Sequence, residues 1–206
     1  MTRHEEDLLA VRRCLSGEPA AFRELLERYK NPIFGLLLRL VRNPADAEDL
    51  AQDTFVKAFK KLASYNPDYP FITWLFRIAH NTAIDFLRAK KPAAVSIYGD
   101  EDSEHPEEFI PSAQDEIGAV LEETLIEKLL ARLPPLYREA LILRHKEGLE
   151  VKEIARVLEI PEGTAKIRLF RGRELLKRAM ADPNEITDDP MKPKRPQPRN
   201  LPGEPE

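Results

Sequence analysis

Apolar residues recur along this chain at helical spacing, and no stretch shows the strict alternation of a half-buried strand. Phe22, Leu25, Leu26 and Tyr29 share one helical face. Asn31-Pro32 predicts the end of that helix and the opening of the next. Asn43-Pro44 reads as an N-cap followed by proline at the first helical position. From there Ala47, Leu50, Ala51, Thr54, Ala58 and Leu62 line one face, while Asp46, Asp49, Asp53, Lys57 and Lys60 line another. After a turn-rich stretch at 65–70, a helix is predicted over 71–90. Its apolar stripe is Ile72, Leu75, Phe76, Ala79, Ala83, Phe86 and Leu87.

The pattern resumes near residue 115. It predicts helices over 115–132, 135–146 and 151–158 and a last one ending near 180, with breaks at Pro134-Pro135, Gly148 and 159–161. A short helix, a tight turn and a second helix dense in Lys and Arg suggest a helix-turn-helix. In the last helix Ala165, Leu169, Gly172 and Leu176 form an inward stripe, which leaves Lys166, Arg168, Phe170, Arg171, Arg173 and Lys177 outside. Gly172 on that stripe allows close helix approach, at about 1 kcal/mol of lost helix propensity. The predicted fold class is all-α: two small helical domains joined by an acidic flexible linker, the second a helix-turn-helix.

Charge marks the boundaries. The net charge of −4 over 206 residues conceals segregation. Residues 1–91 carry 15 Lys/Arg against 12 Asp/Glu, residues 92–125 none against 10, and residues 126–182 carry 13 against 9. The organisation read from this is a first domain over 1–91, an acidic linker over 92–125, a second domain over 126–182 and a tail over 183–206. The tail holds seven of the 18 prolines, which predicts extended or disordered chain.

Composition narrows the chemistry. The longest run free of polar residues, 33–38, is far below the roughly 20 residues of a membrane-spanning helix. The N-terminal stretch 2–7 has no apolar core, so no secretory signal is expected. Cys14 is the one cysteine, which excludes an internal disulfide or a cysteine-rich zinc site and fits a cytoplasmic setting. Eight scattered glycines make no phosphate-cradling loop, and His4, His80, His105 and His145 share no ligand spacing. No metal or cofactor is expected.

Three constellations remain. The basic last helix suits phosphates and guanine edges, and equally suits a solvated helix end. Trp74 lies with Arg77, Asn81 and Asp85 off the apolar stripe. An aromatic beside Arg and Asn suits unstacked bases, although a lone tryptophan is also a common core residue. Asp46, Glu48, Asp49 and Asp53 crowd the first turns of one helix, where carboxylates favour the helix dipole. The same face also suits a basic docking partner, or acid–base chemistry if a second ligand cluster existed.

The motifs, taken in order, resemble the extracytoplasmic-function (ECF) sigma factors, the two-domain class of bacterial RNA polymerase specificity subunit. Residues 46–55 are similar to the family segment that docks on the polymerase clamp helices, and residues 71–81 to the segment that opens and reads the minus-ten element. Leu133-Pro134, Arg138, Leu143-Arg144, Glu147-Gly148-Leu149 and Glu153-Ile154-Ala155 resemble the start of the family's second domain. Residues 161–173 resemble its minus-thirty-five recognition helix. The resemblance covers about residues 10–182.

It implies a non-enzymatic initiation subunit that binds core RNA polymerase at the clamp helices and flap and directs it to promoter DNA. Implied for polymerase docking are Asp46, Asp49, Gln52 and Asp53. Implied for the minus-ten strand are Trp74, Arg77, Asn81 and Asp85, with the loop at 64–70 holding a flipped base. Implied for the minus-thirty-five groove are Thr164, Lys166, Ile167, Phe170, Arg171 and Arg173. A dedicated anti-sigma factor is implied as partner; no small-molecule substrate and no membrane insertion are. The loop at 64–70 lacks the family's usual Arg-Gly-Glu/Asp pattern and has two prolines, the tail after about Pro183 has no counterpart in the minimal family, and three single positions also depart from the pattern. Glu150 replaces the usual Ser or Thr cap, so a weaker cap is expected. Glu159 stands where the turn often has Gly, so it must adopt an unusual backbone angle or reshape the turn. Ile167 replaces a small polar residue and would offer a methyl contact to thymine.

Overall fold

The structure, a computed structural model, describes residues 1–90 and 123–181. Most of the predicted acidic linker and nearly all of the predicted tail lie outside these residues. Among the described residues all regular structure is helical.

Four helices form the first bundle: α1 Arg3–Leu15, α2 Pro19–Val41, α3 Pro44–Lys60 and α4 Phe71–Lys90, with a 3₁₀ turn at Leu62–Ser64. Thr2 opens α1 through a reciprocal capping box with Glu5. Asn43 opens α3, its side-chain oxygen accepting from the Asp46 N–H at 3.2 Å. The expected break at Asn31-Pro32 is absent, for Pro32 lies inside an unbroken α2. An internal proline costs a helix about 3 kcal/mol. Here Leu25, Tyr29, Ile33, Leu36, Leu37 and Leu40 are buried on both sides of it, so packing holds the two halves in line.

Asp7 ties α1 to α2. It is buried, accepts from the Tyr29 hydroxyl, and pairs with Arg28 at 2.5 Å. Burial, the hydrogen bond to Asp7 and its charge push the Tyr29 phenol well above its ordinary pKa. The Tyr29 ring then meets Phe71 at 5.6 Å, and Phe71 meets Tyr65 and Trp74 at 5.3 and 5.4 Å. Tyr65 donates to the Tyr69 carbonyl at 2.5 Å, and burial pushes its phenol up to about 12. This aromatic cluster anchors the loop at 64–70 and the start of α4.

The second bundle is α5 Glu123–Arg132, α6 Pro135–His145, α7 Val151–Leu158 and α8 Glu162–Ala181. A Cβ on Gly172 would stand 3.1 Å from Leu141 and 3.3 Å from the Tyr137 carbonyl, so glycine permits the close approach of α8 to α6. Glu159 ends α7 in the left-handed conformation, φ 55° and ψ 42°. The residue adopts the unusual angle itself and the turn keeps its shape; for a non-glycine this costs about 1–2 kcal/mol. The cap at Glu150 is made in reverse, its N–H donating to Glu153 Oε2 at 2.9 Å.

The bundles meet. Helix α4 packs on α2 and α3 and also on α7 of the second bundle, and α2 touches α6. The apolar stripe of α4 is in the core, with Leu75, Phe76, Ala79 and Ala83 fully buried. Thr73 and His80 on its polar side are buried as well.

Candidate polymerase and nucleic-acid interfaces

Helix α3 presents a free face. Its apolar side, with Ala47, Leu50, Thr54, Phe55 and Ala58, is buried. Asp49, Gln52, Asp53 and Val56 are exposed at successive steps of three, one and three residues, which places them on one stripe. Val56 is 50% exposed, so the acidic stripe carries an apolar contact beside it. Asp46 stands apart from this set. Its carboxylate takes an ion pair from Lys90 at 2.8 Å, joining the start of α3 to the end of α4.

Helix α4 presents two clefts. The first, about 440 Å³, is lined by Ser64, Asn66 and Tyr69 of the loop and by Thr73, Trp74 and Arg77. Trp74 is half-buried at the edge of the aromatic cluster, 5.5 Å from Tyr65, so both sequence readings hold in part: one side packs and the other faces the cleft. The second cleft, about 360 Å³, is lined by His80, Asn81, Asp85 and Arg88. The four expected minus-ten residues are therefore split in pairs between two clefts along one helix.

Both clefts have a wall from the second bundle. Arg156 and Glu159 close the first, and Leu158, Glu159 and Arg168 close the second. The Arg156 guanidinium lies 3.9 Å from the Tyr69 ring centre, a cation–π distance. Thr73 donates to Glu153 Oε1 at 3.0 Å. Arg77 pairs with Glu159 at 3.7 Å, both half-exposed. His80 Nδ1 and Glu139 Oε1 are 2.6 Å apart and buried. Burial opposes charge on His80, but the Glu139 carboxylate, by charge and hydrogen bond, outweighs it and holds the imidazole pKa above its usual value.

On α8 the expectation of six outward residues needs correction. Lys166 and Lys177 are exposed, and Phe170 and Arg173 are half-buried. Thr164 and Ile167 are also half-buried. Arg168 and Arg171 are buried. The inward face is wider than the stripe read from spacing, because Arg168, Arg171 and Leu175 sit one step round from it and are covered too. Different partners cover the two arginines. Arg171 donates to the Tyr137 hydroxyl at 3.4 Å within its own bundle. Arg168 faces the α4 cleft.

Sequence reasoning named Glu153 only within a family motif and gave no contact role to Glu139, Glu153 or Arg156. Each is a charged residue on a short helix, and nothing local distinguishes it from a solvated one. Glu159 alone gave a signal, as a glutamate at a turn position that favours glycine.

Comparison with known proteins gives the family. Residues 25–92 match the family described as Sigma-70 region 2, and residues 123–176 match Sigma-70, region 4. The chain is 35% identical over 193 residues to the RNA polymerase sigma-H factor of Pseudomonas aeruginosa, covering 87% of this chain and 96% of that protein. It belongs to the ECF sigma factors of the sigma-70 family. The ECF RNA polymerase sigma factor SigW of Bacillus subtilis is 34% identical, over 84% of this chain and 95% of that one. Among solved structures, the sigma factor RpoE of Bartonella quintana, crystallised with the anti-sigma factor NepR, matches 78% of this chain and 97% of its own at 25% identity and a TM-score of 0.57. This sigma factor is accordingly a transcription specificity subunit, directing RNA polymerase to promoters. Among its described residues no helix is long and apolar enough to cross a membrane.

Proposed function

We propose that this sigma factor docks on core RNA polymerase through the exposed α3 stripe of Asp49, Gln52, Asp53 and Val56, and reads promoter DNA with α4 and α8. Chemistry in this reading belongs to the polymerase, and the chain acts in the cytoplasm without a cofactor. The observation that carries it is the α3 stripe itself: acceptors and one apolar residue, exposed to solvent on the side of α3 away from the core, suited to a basic helical surface. Asp46 is the peripheral member, since Lys90 already holds it.

The minus-ten strand is assigned to the α4 clefts, with Trp74 and Arg77 at the first and Asn81 and Asp85 at the second. The minus-thirty-five groove is assigned to Thr164, Lys166, Ile167, Phe170 and Arg173. Arg171 serves that surface indirectly, by holding α8 on Tyr137. The predicted segments 1–91 and 126–182 act as the two functional units, with 92–125 between them. An anti-sigma factor, the class of partner bound by the Bartonella relative, would compete for these faces.

The test is titration of bacterial core RNA polymerase with the wild-type chain and with Gln52→Ala/Asp53→Ala. Hydrogen bonds to charged groups contribute about 1.5–3 kcal/mol each, so the pair is expected to weaken binding by about tenfold or more. No binding by the folded wild-type chain would overturn the docking reading. Sequence-specific duplex binding without polymerase would then favour a conventional helix-turn-helix regulator.

A further inference from the structure

Helix α1 carries no residue of the proposed interfaces. Its buried face holds Ala10 and Val11, yet the third buried residue is Asp7, only 2% exposed. A carboxylate leaves water only where pairing and hydrogen bonds offset the loss, so the partners of Asp7 define what it does. Both of its oxygens are used. Oδ1 takes the Arg28 guanidinium at 2.5 Å, and Oδ2 accepts from the Tyr29 hydroxyl. Arg28 is held in turn by Glu24 at 2.8 Å. With two such donors the carboxylate is fixed, and it fixes the Tyr29 ring at its hydroxyl end.

From that ring a continuous set of aromatic contacts runs to the first cleft of α4. Tyr29 meets Phe71 at 5.6 Å. Phe71 meets Tyr65 at 5.3 Å, edge to face, and Trp74 at 5.4 Å. Tyr65 and Trp74 meet at 5.5 Å, and the Tyr65 hydroxyl donates to the Tyr69 carbonyl. Trp74 and Tyr69 both line the cleft, while Tyr29, Phe71 and Tyr65 are buried beneath it. A second link is more direct. Helix α1 touches the 3₁₀ turn at Leu62–Ser64, and the Asp7 charge adds to burial in pushing the Tyr65 phenol up to about 12.

We infer that Asp7 is a positioning residue for the minus-ten step: through Tyr29 it sets the Phe71, Tyr65 and Trp74 cluster, and so the shape of the cleft that receives an unstacked base. Asp7 itself is buried and touches no DNA. A base stacks only on an aromatic face held at the right angle and depth. Past the 3₁₀ turn, residues 65–70 form no helix or strand that could hold that face. The support therefore comes from below, and a close-packed interior passes a displacement on because it has no void to absorb it.

This inference rests on the reading of the first cleft as a minus-ten site, and Trp74→Ala separates the two. Promoter duplexes are first selected from a randomised library by holoenzyme made with the wild-type chain and bacterial core RNA polymerase. On a selected duplex, closed-complex binding is read in the cold by fluorescence anisotropy, and strand opening by the permanganate reactivity of its thymines. Full-length wild type, Asp7→Ala, Asp7→Asn, Tyr29→Phe and Trp74→Ala are compared. Trp74 is the only tryptophan of the chain, so acrylamide quenching of its fluorescence reports the cleft in the free protein. Circular dichroism confirms folding. Tyr29→Phe keeps the ring and cuts only its bond to Asp7, so it keeps the test available should Asp7→Ala misfold.

Opening is expected to slow by about threefold to tenfold in Asp7→Ala and Tyr29→Phe, the scale of one lost hydrogen bond to a charged group. Core binding and closed-complex affinity are expected to stay at the wild-type level, with Trp74 quenching altered. Asp7→Asn keeps an acceptor for the Tyr29 hydroxyl and is expected to recover most of the opening rate. Wild-type opening and wild-type quenching in folded Tyr29→Phe would overturn the inference. A loss shared equally by core binding, closed complex and opening would also overturn it, since a purely structural role predicts that result. In both cases slow opening by Trp74→Ala would leave the reading of the cleft standing. Wild-type opening by Trp74→Ala would overturn that reading and the role of Asp7 together.

Discussion

Two faces of α4 carry contacts of different kinds. One face sets Leu75, Phe76, Ala79 and Ala83 into the core of the first bundle, all fully buried. The other sets Thr73, Arg77 and His80 against three glutamates of the second bundle. Apolar burial contributes about 1.5–3 kcal/mol per large side chain and has no substitute in water. A hydrogen bond contributes about 0.5–1.5 kcal/mol net, because water or another polar ligand offers the same exchange. The first face is therefore permanent. The second can be given up to a competitor that supplies equivalent acceptors.

The two arginines of α8 divide the same way. Arg171 is buried within its own bundle, where it donates to the Tyr137 hydroxyl. Arg168 is buried too, and it lines the second cleft together with residues of α4.

The largest expected effect breaks the permanent face. Phe76→Ala should lower global stability by about 3–5 kcal/mol, read from urea unfolding, because the ring is fully buried and leaves a cavity. A loss near zero would show that this face is not the core. Next, Arg171→Ala should cost about 1–3 kcal/mol of stability in the second bundle and weaken DNA binding equally for all promoter sequences. Loss confined to one base position, with the melting temperature unchanged, would return Arg171 to the base-reading set.

A smaller effect comes from pH. The pKa of His80 is raised in the folded chain, so its pair with Glu139 contributes fully below about 6.5, the ordinary histidine value. That contribution is lost as pH rises through the higher, folded-state value. Groups around His80 include Glu139, Glu159 and Arg168 from the second bundle and Asp85 and Arg88 on α4. Trp74 quenching should therefore increase as pH rises above about 6.5, and His80→Gln should flatten the change. The smallest effect belongs to Arg77→Ala. Its pair with Glu159 spans 3.7 Å with both side chains about half-exposed, and solvent-screened pairs contribute about 0–1 kcal/mol. A large change in Trp74 quenching on this substitution would show that the exposed pair dominates the contact.

Helix positions are legible in the residue pattern alone. The spans 71–90 and 151–158 match α4 and α7, and Asn43-Pro44 opens α3 as its cap chemistry requires. These features depend on neighbours within one or two turns, so local spacing encodes them. The unbroken α2 is not legible there, since the cost of Pro32 is local while the burial that offsets it comes from other helices. The acidic stripe of α3 is visible as residues, but its separation from Asp46 depends on Lys90, 44 positions later.

For the whole molecule, the amino-acid order by itself determined most helix spans, though not the continuity of α2, together with the family motifs and the choice of Glu over Gly at position 159. These are matters of period, capping and residue chemistry along the chain. Only the tertiary structure decided which polar residues meet. The Thr73–Glu153 and His80–Glu139 contacts span 80 and 59 positions. A glutamate on a helix surface carries no local sign of its partner, because charge acts through space and the fold chooses the distance.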